Sequence, residues 1–268
     1  ILIRHLLSHT SGLPAWRPLF ERLLADELAG AGSKREAILR LAAAEPLERA
    51  PGTAAIYSDL GFIVLGAAVE RAGGDRLDRL AEREIFLPLS MNASRFVDLS
   101  AMPTARIVGD VAPTEVCPRR GLVAGEVHDA NCHAAGGILG HAGLFATAAD
   151  VSRVAAMVVG SANGERGPVQ IDPAVVSEFL SPSGVPGSTW RLGWDSPSPT
   201  PGVSQAGDAW PRNGIGHLGF TGCSLWIDLE RARWVVLLTN RVHPSRDDQR
   251  IKEVRPRLHD AIVRELDA

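Results

Sequence analysis

Lysine is almost missing from this 268-residue chain: Lys34 and Lys252 are its only two, although lysine and arginine together number 28. Arginine carries the rest of the positive charge, scattered among 31 acidic residues to leave a net charge of -3. With no basic stripe to attract a polyanion, nucleic acid is excluded as a partner. Cysteine is scarce too. Cys117, Cys132 and Cys223 are too few and too irregularly spaced for a disulfide framework or a paired metal knuckle, and they leave the compartment open. Long hydrophobic runs are also absent. GFIVLGAAV and WVVLLT fall well short of the roughly 20 residues of a bilayer-spanning helix, so no transmembrane segment is expected. Neither a Gly-x-Ser-x-Gly elbow nor a Gly-x-Gly-x-x-Gly phosphate-binding turn is expected, and the α/β-hydrolase and dinucleotide-binding readings are set aside.

What is present is a globular composition, 45% hydrophobic and 22% charged, in a chain long enough for one large domain or two interleaved ones. The first half carries helical spacing. RPLFERLLADEL repeats apolar residues every three or four positions, and Ser33 followed by Glu36 is a capping-box signature for KREAILRLAAAE. SDLGFIVLGAAVERAGG predicts a helix closed by Gly73 and Gly74, and DRLDRLAEREIF a second one ending before Pro88. Residues 97 to 146 are rich in Gly, Pro, Asp and His with little periodicity, and an irregular segment of that length is usually functional. Thr147 and Asp150 predict the cap of a helix DVSRVAAMVVG.

HLGFTGCSLWID and ARWVVLLTN then read as two strands joined by LER, followed by a terminal helix DQRIKEVRPRLHDAIVREL disturbed at Pro256. No internal repeat is visible. The order predicts an α+β fold, an antiparallel sheet flanked by helices with an inserted helical subdomain. The expected division within residues 1–268 is a mainly helical part with loops over about 1–180, and a hairpin with the C-terminal helix over about 190–268.

Two places invite chemistry. Tyr57, the only tyrosine, precedes an apolar helix, and a phenol that titrates near pH ~10 acts as a base at neutral pH only where positive charge or strong hydrogen bonds stabilise the phenolate. Taken alone it reads as a buried ring with a satisfied hydroxyl. Gly219 and Gly222 weaken the strand that opens with His217, which suggests that something must approach the backbone there.

Several ordered segments together carry a resemblance. RHLLSHTSGLP (4–14), PGTAAIYSDLGFIVLG (51–66), FLPLSMNASRF (86–96), GHAGLFATAADVSRV (140–154) and HLGFTGCSLWID (217–228) are similar, in this order and across nearly the whole chain, to the serine β-lactamase and penicillin-binding-protein-like hydrolases. The branch resembled is that of the class C β-lactamase-related esterases and D-amino-acid peptidases. The resemblance implies an acyl-enzyme mechanism without a cofactor, acting on a small-molecule or peptide substrate. Tyr57 then falls at the tyrosine of the family's Tyr-x-Asn loop, and His217 with Gly219 at its Lys-Thr-Gly or His-x-Gly strand. Gly219 would bare the strand to substrate, Phe220 would give its N–H to an oxyanion hole, Thr221 would line the same wall, and Asp59 would position the substrate amide or His217.

Three departures qualify that picture. Asp59 stands where the family has asparagine and His217 where it often has lysine, so an adjacent Asp59 carboxylate is expected to favour imidazolium at His217. A titratable histidine anchors a carboxylate less firmly than a fixed cation, which favours esters or peptides over penicillins. The third departure is the nucleophile. Ala31 and Gln249 stand three residues before the two lysines, so no Ser-x-x-Lys exists here, and the chain opens ILIRHLL without an initiator methionine. The resemblance places that motif several dozen residues ahead of RHLLSHTSGLP. The expectation is therefore that the serine, its lysine and the first sheet strands lie upstream of Ile1, and that the 268 residues alone form no acyl-enzyme.

Rival readings are simpler. His128, Asp129, Cys132, His133 and His141 could be read as metal ligands, but the glycines around them and the lack of His-Glu-x-x-His or paired Cys-x-x-Cys favour a loop lining the cleft, and no metal is expected. Ser8, His9 and Ser11 read as helix-terminating and turn chemistry. A non-catalytic module that binds a peptide or peptidoglycan-like ligand is the alternative from another class, to which the missing nucleophile is equally suited. The resemblance points to the periplasm or cell exterior, with cytoplasmic esterases as exceptions. Oligomeric state is not legible.

Overall fold

The computed structural model describes residues 1–24 and 32–268. Its first part is helical: α1 (Ile3–Leu7), α2 (Leu19–Leu24), α3 (Lys34–Ala44), α4 (Asp59–Gly73) and α5 (Leu77–Ala81), the last continuing into a wider π turn at Glu82–Phe86. The Ser33 hydroxyl accepts the Glu36 N–H at 3.1 Å, as its spacing predicts, and Gly74 closes α4 in the left-handed conformation at φ 70°. Helix α2 covers Leu19–Leu24 of RPLFERLLADEL, whose last four residues, 25–28, lie outside the described residues. Apolar faces of these helices meet in one core that includes Leu6, Leu19, Ile38, Leu60, Ile63 and Leu139, each buried side chain contributing about 1.5–3 kcal/mol.

Helix α4 is held close to the irregular middle of the chain by a glycine pair. A Cβ on Gly66 would come within 2.9 Å of the Gly140 Cα. That contact lets the loop bearing His141 lie directly against the helix that begins at Asp59.

The middle segment is irregular as expected, broken by a two-residue hairpin, β1 (Val116–Cys117) with β2 (Gly121–Leu122), and by the short helix α6 (Ala130–Ala134). Helix α7 (Ala148–Ala162) starts at Thr147, whose hydroxyl accepts the Asp150 N–H at 3.2 Å. Helix α8 (Pro173–Phe179) follows.

Strands β3 (Ile215–Leu218), β4 (Ser224–Asp228) and β5 (Arg233–Leu237) form an antiparallel sheet in sequence order, extended at the β3 edge by a bridge between Asp195 and Gly216. Strict alternation splits β4 between two layers. Ile227 packs with Ile215 and the α7 residues Ala155, Val158 and Val159, whereas Trp226 packs with Trp210 and Val263 of α9 (Ile251–Leu266). The sheet is thus sandwiched between α7 and α9.

Three expectations are corrected here. HLGFTGCSLWID is two strands joined by a tight turn, not one. Gly219 N–H bonds Cys223 O at 2.8 Å and Gly222 N–H bonds Gly219 O at 2.9 Å, with Gly222 at φ 104°, so the chain reverses between them. Residues 214–219, Gly-Ile-Gly-His-Leu-Gly, do spell a dinucleotide-binding pattern, but they run through β3 and not through a strand-to-helix turn, so the physical site of that motif is absent. Pro256 does not interrupt α9. The carbonyl of Lys252, which loses its helical partner to the proline ring, accepts the Gln205 side-chain amide at 3.2 Å.

Candidate active site

Tyr57 sits one residue before the cap of α4. The Ser58 hydroxyl accepts Gly61 N–H at 3.0 Å and donates to Pro14 O at 2.6 Å, while Ser58 N–H donates to His9 Nδ1 at 3.1 Å. These bonds fix the backbone that carries the phenol. Its ring lies 4.5 Å from the His9 ring, 5.9 Å from Trp190 and 6.3 Å from His217, centroid to centroid.

Burial, then the charge and hydrogen bond of Asp59, then the charge of Asp129, push the Tyr57 phenol above its ordinary range. As a residue Tyr57 is 46% exposed, so the nearby carboxylates are the firmer cause. Asp59 itself is raised, by burial first and by Asp129, against the opposing charge of His141 and the Tyr57 hydrogen bond. Asp129 goes the other way. Burial opposes its charge, yet a 2.9 Å hydrogen bond from His141 Nε2, the His141 charge and the Cys132 N–H outweigh it.

Asp59, Asp129 and His141 each offer a ligand atom within 4.8 Å of the others. Among the described residues this trio could be drawn around one cation. The five residues singled out in sequence do not converge in that way: His128 pairs with Glu115 at 2.5 Å, His133 with Glu126 at 3.2 Å, and His141 alone with Asp129. Cys132 donates to Ala142 O from within α6, a helix where a loop was expected.

His217 stands on β3 opposite Leu225. Its Nδ1 lies 2.8 Å from Leu218 O, and its ring lies 5.5 Å from Trp190. Burial holds its pKa below the ordinary value against the Leu218 carbonyl and the charge of Asp195. The expected imidazolium is therefore overturned: the carboxylate that acts on His217 is Asp195, bridged to Gly216 beside it, and not Asp59.

Gly219, Phe220 and Thr221 occupy the β3–β4 turn. Thr221 O accepts Arg241 N–H at 2.8 Å, and Phe220 O accepts Arg241 Nε at 2.8 Å. Among the described residues no hydrogen bond occupies the Phe220 N–H. The turn presents that donor next to the strand bearing His217, an arrangement able to stabilise a developing oxyanion.

Ser8, His9 and Ser11 behave as turn chemistry predicts: Ser8 Oγ bonds Arg4 O at 2.7 Å and Thr10 Oγ1 at 2.9 Å, and Ser11 Oγ accepts Leu13 N–H at 3.2 Å. His9 does more. It is 2% exposed at φ 55°, stacks on Phe62 and meets Trp190 edge-on at 4.4 Å, so it floors the site beneath Tyr57. Burial first, then the charge of His217, lower its pKa to about 3. His9, Trp190 and Asp195 are the residues that sequence reasoning missed. The apolar patch TWRLGWD inside a Pro/Gly/Ser-rich stretch was the one available signal for Trp190.

The family model for beta-lactamase matches residues 1–257. A protein of Escherichia coli K12 named as a D-alanyl-D-alanine carboxypeptidase is 30% identical over 261 residues, covering 92% of this chain. An N-acetylmuramyl-L-alanine amidase of Bacillus subtilis is 29% identical over 255 residues and 91% of the chain. The chain spans 59% and 56% of the length of these two relatives. Among solved structures, the simvastatin synthase LovD of Aspergillus terreus superposes with a TM-score of 0.65 at 20% identity, over 99% of this chain and 69% of that one. A beta-lactamase of Mycobacterium bovis gives 0.60 at 19%, over 98% and 73%. Fold likeness and the family match over nearly its whole length agree that the chain belongs to the beta-lactamase family of hydrolases.

Proposed function

We propose that this chain forms two walls of a serine acyl-transfer site that hydrolyses an ester or amide bond. The observation that carries the reading is the Tyr57 ring 6.3 Å from that of His217, with the Phe220 N–H, unpaired among the described residues, in the turn that follows the same strand. A serine outside these 268 residues attacks the carbonyl carbon, and Tyr57 accepts its proton. Phe220 N–H donates to the oxyanion. Tyr57 then returns the proton to the leaving oxygen or nitrogen, and water releases the acyl group by the reverse sequence.

Electrostatics supports a component outside the chain. Among the described residues the charges that raise Tyr57 are those of Asp59 and Asp129, and neither Lys34 nor Lys252 is among them. A phenol in that setting stays protonated at neutral pH, so a base role requires a cation alongside it. The lysine of a Ser-x-x-Lys supplies one. No cofactor enters the scheme.

His217, kept neutral, orients substrate by hydrogen bonding and is a weak anchor for a carboxylate. That favours small esters and peptides over penicillins, and the names of the two curated relatives suggest D-alanyl or muramyl-peptide amides. Assay of the full-length protein on p-nitrophenyl acetate, D-alanyl-D-alanine peptides and nitrocefin tests this. Ester or peptide turnover at least about tenfold above nitrocefin is expected; fastest turnover of nitrocefin overturns the substrate assignment. The second reading, a peptide-binding module without catalysis, is favoured by the lack of any Ser-x-x-Lys in the 268 residues. Binding of the peptides with no turnover of any substrate would establish it instead.

A further inference from the structure

The turn that carries Phe220 is gripped by Arg241, from the segment after β5, while Arg255 of α9 donates to Gly222 O at 2.7 Å. Arg241 gives its backbone N–H to Thr221 O at 2.8 Å and its Nε to Phe220 O at 2.8 Å. Its guanidinium also lies over the Phe220 ring, 4.5 Å from the centroid. Nη1 of the same group reaches Arg246 O at 2.6 Å and Asp248 O at 2.9 Å, tying the turn to the segment before α9. Gly222 makes the approach possible, because a Cβ there would stand 3.1 Å from the Arg241 Cγ.

A second support meets the same ring. His128 stacks on Phe220 at 5.8 Å and an interplanar angle of 20°. Glu115 holds His128 at 2.5 Å and accepts from Arg246 Nε at 2.9 Å, and Arg246 is the residue whose carbonyl Arg241 binds. Phe220 is 61% exposed, so core packing does not hold it. The network does.

We propose that Arg241 is a positioning residue for the Phe220 N–H: its side chain holds the Phe220 carbonyl and its backbone the Thr221 carbonyl, which fixes the two peptide units after Gly219–Phe220 and so keeps the oxyanion donor in place. The inference rests on the acyl-transfer reading above. Its physical basis is that a planar guanidinium can satisfy several carbonyls in a fixed fork, which the single ammonium of lysine cannot reproduce. A displacement of about 1 Å at a reacting group can cost on the order of a hundredfold in rate.

The test uses the full-length protein with p-nitrophenyl acetate as probe. For Arg241→Ala the account expects kcat to fall about 10- to 100-fold with KM within about threefold of wild type, and partial recovery on adding guanidinium chloride at tens of millimolar. Arg241→Lys, which keeps the charge, should still lose most of that kcat, and it serves as the variant to read if the alanine protein does not fold. Wild-type kcat in Arg241→Lys, or a rise in KM with kcat unchanged, overturns the positioning role. Formation of an acyl adduct by wild type is measured in parallel. Adduct formation with unaffected variants defeats this inference alone, whereas no adduct in wild type defeats the acyl-transfer reading and this inference together.

Discussion

The Asp59 carboxylate stands two residues after Tyr57 and its charge acts on the phenol, and Asp59 offers a ligand atom within 4.8 Å of those of Asp129 and His141. The proposed base thus has an acid for a neighbour, at the first turn of the helix whose cap fixes the backbone of both. A negative neighbour stabilises the phenol over the phenolate, so Asp59→Asn should lower the pKa of Tyr57. If the phenolate limits the rate at low pH, the rising limb of the kcat/KM profile moves to lower pH, by about one unit. The profile of the full-length variant, taken from pH 5 to 10, checks the direction; an unmoved limb contradicts it.

Removing the hydroxyl should stop the chemistry and spare the fold. Tyr57→Phe keeps the ring against His9 and Trp190, so the melting temperature should stay within a few degrees. The kcat should fall by about 10²- to 10⁴-fold, the usual worth of a general base. Paired thermal melts and steady-state kinetics separate the two effects.

His9 makes a prediction about stability. Its folded pKa of about 3 lies below the ordinary 6.5. Between those values the unfolded chain binds a proton that the folded chain refuses, so stability is full above about pH 6.5 and falls as pH drops toward 3. The slope contributed by this group is about 1.4 kcal/mol per pH unit. Asparagine tolerates the left-handed backbone found at φ 55° and does not titrate, so His9→Asn should flatten this part of the slope. Denaturant midpoints of both proteins at pH 7, 6, 5 and 4 measure the difference.

Gly222 is required twice over, by its φ of 104° and by the side chains of Thr239 and Arg241 that would meet a Cβ. Gly222→Ala should cost at least 1–3 kcal/mol and displace the turn carrying Phe220. Chemical denaturation reads the loss. An unchanged midpoint contradicts the turn geometry.

The trio Asp59, Asp129 and His141 is expected to work without a metal. Elemental analysis of purified protein should find well below one equivalent of zinc or calcium, and ester turnover should survive EDTA. A stoichiometric ion whose removal abolishes turnover contradicts this expectation.

Local signals carried much of the fold. Ser33, Thr147 and Gly74 mark helix ends because caps are local chemistry, and the ordered segments around Tyr57 and His217 carried the family. What stayed hidden depends on partners distant in sequence. The turn at Gly219–Gly222 is invisible in an alternating run of small and apolar residues, since Thr239 and Arg241 enforce it from the segment that follows β5. Pro256 reads as a break until Gln205 arrives from 47 residues away to satisfy the freed Lys252 carbonyl. Motif position gave Asp59 the substrate amide or His217; the approach of Gly66 to Gly140 gives it His141 and Asp129 as neighbours. His9 looked like turn chemistry, and only the folded chain puts its ring under Tyr57.

The measurement that tests the central claim most directly is intact-mass analysis of the full-length protein after reaction with a fluorophosphonate probe, followed by peptide mapping. The account predicts one covalent equivalent on a serine outside these 268 residues, three positions before a lysine, with labelling slowed at least about a hundredfold in Tyr57→Phe. No adduct, or an adduct on a serine within these 268 residues, would contradict it.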